Sequence, residues 1–149
     1  MKLVNYYEDP EVLHVGTTKE RAYYIPQKDG AVSKVLLNGD WRFLYSEDPD
    51  GIPEGFYERG FQADAWHTIP VPGCWQNYGF DTHQYVCNYY PFPYRPPYVP
   101  KRNPCGAYIH TFFLKEDSVE KRQYLNFEGV DSCFYVWING RFAGYSQVS

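Results

Sequence analysis

No apolar run in this sequence is long enough to cross a bilayer, which excludes a membrane-spanning helix. No segment carries helical periodicity over a useful length, which argues against a helical fold. Basic residues are scattered among 14 Lys and Arg against 18 Asp and Glu, a formal charge of −4. Neither a basic stripe nor a basic amphipathic helix is present, so a nucleic-acid partner and a membrane-surface role lose their usual footprint. Phosphate-binding glycine loops and nucleophile motifs are also missing. The cysteines, Cys74, Cys87, Cys105 and Cys133, form no C-x-x-C pair, and no histidine stands at metal-ligand spacing from them. There is no N-x-S/T site, and the opening Met1-Lys2-Leu3-Val4-Asn5 does not read as a secretory signal. A cytoplasmic protein with free thiols is the resulting expectation.

What the sequence has is aromatic side chains. They make up 20% of 149 residues, and 16 are Tyr. The length suits one domain. Tyr joins an apolar ring to a hydroxyl and suits half-wet surfaces, interfaces and sugar-binding faces. Strand filling accounts for most of these rings, because aromatics favour strands.

Residues 1–31 read as an extended N-terminal arm, polar and with little periodicity, whose Tyr6, Tyr7, Tyr23 and Tyr24 would dock on something. Residues 32–149 form the folded domain. Asn38-Gly39 predicts a turn, after which Trp41, Phe43 and Tyr45 alternate at strand period. A loop over 47–60 and a short strand over 66–71 follow, the latter marked as an edge or strand end by Pro70. Residues 72–106 hold Pro72, Pro91, Pro93, Pro96, Pro97, Pro100 and Pro104 among many tyrosines. So long a loop is usually functional, and its rings predict order. Strands are expected over 107–114, over 123–128 with Leu125 and Phe127 inward, and over 132–138. Asn139-Gly140 turns the last of these into 141–147, the clearest hairpin in the chain. Short strands between Gly and Pro turns predict an all-β sandwich or barrel.

Five signatures occur in order: Leu37-Asn38-Gly39-Asp40-Trp41-Arg42-Phe43; Pro72-Gly73-Cys74-Trp75-Gln76; Tyr90-Pro91-Phe92 with Pro96-Pro97-Tyr98-Val99-Pro100; Asn103-Pro104-Cys105-Gly106-Ala107-Tyr108; and the segment from Phe127 to Gln147. With these the chain resembles the N-terminal domain of the glycoside hydrolase family 2 β-galactosidases of lacZ type. Tyr7-Glu8-Asp9-Pro10 extends the likeness, more weakly, into the arm. The resemblance implies a jelly-roll β-sandwich, galactose-binding-domain-like, incomplete at its C-terminus. It implies a catalytic glutamate pair in a separate TIM-barrel domain absent here, and Mg²⁺ and Na⁺ in the parent enzyme, with no cofactor in this chain. It also implies a homo-oligomer, the remaining domains of the parent chain and a β-galactoside as partners.

Glycoside hydrolysis needs two carboxyl groups about 5–10 Å apart, one with a raised pKa. Most acids here sit in exposed-looking loops, and turn chemistry accounts for Glu128 and Asp131. No catalytic residue and no metal ligand is assigned, and the piece is expected to be inactive alone. His110 is expected to be a hydrogen-bonded structural histidine, and Trp75 and Trp137 to pack the sandwich or its interface. In the resembling family an Asn before Tyr-Pro reaches the galactose pocket. Here the stretch reads Tyr85-Val86-Cys87-Asn88-Tyr89-Tyr90-Pro91, and an ungapped match puts Cys87 in that place with Asn88 next. A thiol holds a hydroxyl poorly, so Asn88 ranks ahead of Cys87 for substrate binding. A turn-forming Asn88 without a ligand is the alternative. Two other functions compete: a stand-alone carbohydrate-binding module, and the same domain from a β-glucuronidase or β-mannosidase. A sandwich lacking strands exposes an edge and apolar interior, so self-association or strand borrowing is expected.

Overall fold

A computed structural model describes residues 4–19, 34–84, 90, 92–116 and 120–148. Strands β1 (His14–Val15), β2 (Gly39–Ser46), β3 (His67–Val71), β4 (Cys105–Ile109), β5 (Cys133–Ile138) and β6 (Arg141–Gln147) alternate with 3₁₀ turns at Tyr6–Glu8, Pro49–Gly51 and Trp75–Tyr78. They build two three-stranded sheets, ordered β1-β6-β5 and β3-β2-β4. Every pairing is antiparallel, and the described residues include no α-helix. The all-β class expected from the sequence is the one observed, in an arrangement consistent with a β-sandwich.

In the second sheet, alternation along β2 places Phe43 in the core at 0% exposure, with Ile69 of β3 at 2% and Ala107 of β4 at 3%. Removing a side chain of that size from water stabilises by about 1.5–3 kcal/mol. Tyr108, Phe80 and Trp75 surround the Phe43 ring at 4.8, 5.0 and 6.0 Å. Gly106 lets this cluster close: a Cβ there would lie 2.5 Å from Phe43 and 3.0 Å from Trp75. Pro70 sits opposite Asp40 on β3, an outer strand of its sheet, where a missing N–H costs no ladder bond.

The β5–β6 hairpin closes as its sequence predicts. Trp137 pairs with Phe142 and Ile138 with Arg141, leaving Asn139 and Gly140 as a two-residue turn with φ of 52° and 81°. Positive φ at both positions suits the right-handed twist of the flanking strands.

The arm docks and goes further than the sequence suggests. Tyr6 packs on Tyr145 at 5.2 Å and stacks on Tyr135 at 6.1 Å. The Tyr6 N–H donates to the Tyr135 hydroxyl at 3.1 Å, which itself donates to the Val4 carbonyl at 2.8 Å. His14 and Val15 then join β6 as β1, and the Gln147 side chain donates to the Val12 carbonyl at 2.9 Å. Tyr23, Tyr24 and the expected boundary at 31/32 lie outside the described residues.

Two expected strands are corrected. The strand expected over 107–114 ends at Ile109, and Phe113 is 90% exposed. Residues 123–128 form no strand, and Leu125 and Phe127 are each 42% exposed rather than inward. Residues 123–128 have no partner strand among the described residues. An apolar pattern without a partner does not hold an extended backbone. Phe127 still finds Phe134, 4.7 Å away.

Candidate functional site

The region linking β3 to β4 is the structural setting of the candidate substrate residues. It begins with a sharp corner. Gly73 lies against Tyr78, where a Cβ would come within 2.4 Å of the hydroxyl, and Tyr78 donates to the Pro70 carbonyl at 3.3 Å. The turn Trp75–Tyr78 ends at Gly79, which is left-handed with φ of 87°. This puts Trp75 over Phe43 and Tyr45, and Phe80 against Phe43 and His67. Trp75 therefore packs the sandwich, as expected, although its buried indole N–H has no acceptor among the described residues. Burial pushes the Tyr108 phenol at this core up to about 12.

Beyond the corner the chain carries rings outward. Tyr90, Tyr94 and Tyr98 are 60%, 81% and 69% exposed. Tyr90 meets Phe92 and Tyr94 edge-on at 6.3 and 6.0 Å, so exposed rings of this stretch touch one another. Such rings can lie against the C–H face of a sugar while their hydroxyls stay in water. Cys87 and Asn88 lie outside the described residues.

Polar contacts of unequal burial surround the end of this loop. The Val99 N–H donates to Glu8 Oε1 of the arm at 3.0 Å, a contact spanning 91 residues of sequence. Lys101 meets Asp50 at 3.6 Å and Arg102 meets Glu47 at 3.4 Å. The Glu8 contact escapes sequence reasoning. Its one signal is the Tyr7-Glu8-Asp9-Pro10 stretch, which says nothing of a partner so distant in sequence.

The acids have local structural work. Asp48 accepts the Gly51 N–H at 3.2 Å, and Glu128 accepts from the Asn126 amide at 2.8 Å. Glu54 and Glu58 flank an exposed depression of about 380 Å³ with Gly55, Arg59, Gly60 and Phe61. His110 differs from expectation: it lies beyond the end of β4 and is held by ring stacking on Trp41 at 4.7 Å. Trp137 packs as expected, stacked between Tyr57 at 4.8 Å and Tyr135 at 5.9 Å. Cys74, Cys105 and Cys133 are free thiols. No helix among the described residues is long and apolar enough to cross a membrane.

The chain is 46% identical to a β-galactosidase of Actinobacillus pleuropneumoniae over 100% of its length, which is 15% of that protein. It is 42% identical to a β-galactosidase of Staphylococcus xylosus, covering 97% of this chain and 15% of the relative. A third, from Vibrio cholerae, is 40% identical over 92% of this chain and 13% of its own. The chain thus spans about 15% of the length of the curated relatives it matches. Its residues 35–149 match the family model described as glycosyl hydrolases family 2, sugar binding domain, and the chain belongs to that family.

Proposed function

We propose that this chain is the N-terminal sugar-binding domain of a β-galactosidase that hydrolyses terminal non-reducing β-D-galactose. In this reading it acts as a scaffold and lends one loop to the substrate pocket, while the catalytic carboxylates belong to another domain. The observation that carries the reading is 46% identity along the whole chain to a protein named β-galactosidase. The local employment of Asp48 and Glu128 agrees with chemistry placed elsewhere.

Asn88, with Cys87 beside it, is the proposed contact to a sugar hydroxyl. The primary amide offers both a donor and an acceptor, whereas the thiol is weak in either role. The whole protein is proposed to be a cytoplasmic homo-oligomer. Mg²⁺ and Na⁺ are proposed for the parent enzyme only. No three His, Cys, Asp or Glu side chains converge among the described residues, so none is assigned as a ligand and no step runs through either ion.

The test is hydrolysis of chromogenic β-galactoside, β-glucuronide and β-mannoside by the full-length gene product. Preference for the galactoside by at least about tenfold is expected, since a site built to bond a particular hydroxyl rejects sugars lacking it. Preference for the glucuronide or mannoside would overturn the reading. In the same protein Asn88→Ala should raise KM about five- to tenfold, while Cys87→Ala changes it less than twofold. The reverse order would give the contact to Cys87.

A further inference from the structure

We infer that Glu8 is a positioning residue for the substrate loop: its carboxylate, carried by the docked arm, holds Val99 and so sets the placement of the Pro-rich segment. The inference rests on the proposed reading in one respect, that this loop borders the sugar.

The reason such a holder is needed lies in the loop's composition. Residues 93, 96, 97, 100 and 104 are proline and contribute no N–H donor. A segment so poor in donors cannot be secured by a sheet ladder. Tyr98 spends its own N–H inside the loop, on the Arg95 carbonyl at 2.9 Å. The Val99 N–H points instead across the molecule to Glu8 Oε1 at 3.0 Å, in a part-buried position. A bond from a backbone N–H to a carboxylate is charge-assisted and stronger than a neutral one.

Glu8 is itself held. Its other oxygen, Oε2, accepts from the Asn5 amide at 2.5 Å, which orients the carboxylate. The Tyr6–Glu8 turn is anchored by the Tyr6 ring against Tyr135 and Tyr145 and by the Tyr6 N–H on the Tyr135 hydroxyl. A continuous path therefore joins the β5–β6 hairpin, the arm and the loop. The two ion pairs nearby are a contrast. Lys101 and Asp50 are each 83% exposed, and Arg102 and Glu47 are 75% and 66% exposed. Pairs so exposed contribute little.

Without the Glu8 acceptor the loop samples more arrangements, and substrate must select the competent one. That raises KM and leaves kcat nearly unchanged, because the reacting groups are untouched. Glu8→Gln keeps an acceptor oxygen and should restore most of the effect.

The test compares the full-length product with its Glu8→Ala, Glu8→Gln and Lys101→Ala variants. Glu8→Ala should raise KM for a chromogenic β-galactoside about three- to tenfold, with kcat within about twofold. Glu8→Gln and Lys101→Ala should stay within about twofold of the parent in both constants. An active parent whose Glu8→Ala variant keeps the parental KM, or loses kcat alone, would overturn the inference and leave the proposed function standing. A parent that cleaves no galactoside would refute the proposed function instead. Amide exchange at Val99 then decides the clamp by itself. Protection should be lost in Glu8→Ala and kept in Glu8→Gln, and equal protection in all three forms would overturn it. Should Glu8→Ala fail to fold, the Glu8→Gln and Glu8→Lys pair carries the same comparison, because Lys has no acceptor.

Discussion

Tyr135 and Tyr145, the two phenols under the arm, owe their ionisation chiefly to burial. Burial pushes Tyr135 up to about 12, and drives Tyr145, only 1% exposed, well above the ordinary tyrosine range. Both groups hold their protons more tightly folded than unfolded. Their contribution to stability is therefore complete below pH about 10, the unfolded value, and is lost as pH rises from there, through about 12 for Tyr135 and at higher pH for Tyr145. Alkaline unfolding is expected in that window. A late fraction of the phenolate absorbance should rise in step with loss of the β signal, whereas full ionisation of all tyrosines before unfolding would contradict the burial. The thiols follow the same physics. Burial lifts Cys105 to about 11 and raises Cys133, while Cys74 is exposed. The thiolate is the reactive form. Brief alkylation of the native chain with peptide mapping should label Cys74 first and leave Cys105 and Cys133 mostly unmodified at neutral pH.

Two glycines separate backbone strain from crowding at the scale of strands and turns. At Gly140, with φ of 81°, a Cβ would find nothing nearer than 3.7 Å. Gly140→Ala should thus lose about 1 kcal/mol through strain alone. Gly106→Ala forces a methyl into Phe43 and Trp75 and should lose more, about 1–3 kcal/mol. Urea unfolding of the two variants measures the order, and an equal or reversed order would contradict the packing around Phe43. The elements that were legible in the sequence are those with a local cause. Asn139-Gly140 demands its own turn, and Trp41, Phe43 and Tyr45 alternate on a strand whose core face is complete. What was not legible depends on partners. Residues 123–128 carry a strand pattern, but a ladder needs a second strand that no local pattern specifies. The pairing of His14–Val15 with β6 and the reach of Glu8 to Val99 arise from tertiary placement alone. Of the candidate site, the sequence marked the loop and the packing roles of Trp75 and Trp137. It ranked Asn88 ahead of Cys87 on side-chain chemistry alone, because neighbouring residues of an extended chain face opposite ways and no local pattern fixes which one faces the sugar.

At the scale of the whole molecule, the described residues bury little apolar surface. Only Phe43, Ala63, Ile69, Ala107 and Tyr145 form the buried apolar core among the described residues. Strands β1, β3, β4 and β5 each pair on one side only among the described residues. Such edges and exposed rings favour association. The isolated chain is expected to sediment above monomer mass at micromolar concentration and to melt broadly, with a midpoint that depends on concentration. A sharp, concentration-independent melt of a monomer would contradict this. The central claim is that these residues support a hydrolytic site they do not themselves contain. Its most direct test is turnover of a chromogenic β-galactoside by purified residues 1–149 beside the full-length gene product. The account predicts hydrolysis by the full-length protein and none above background by the isolated chain. Cleavage by residues 1–149 unaided would contradict it.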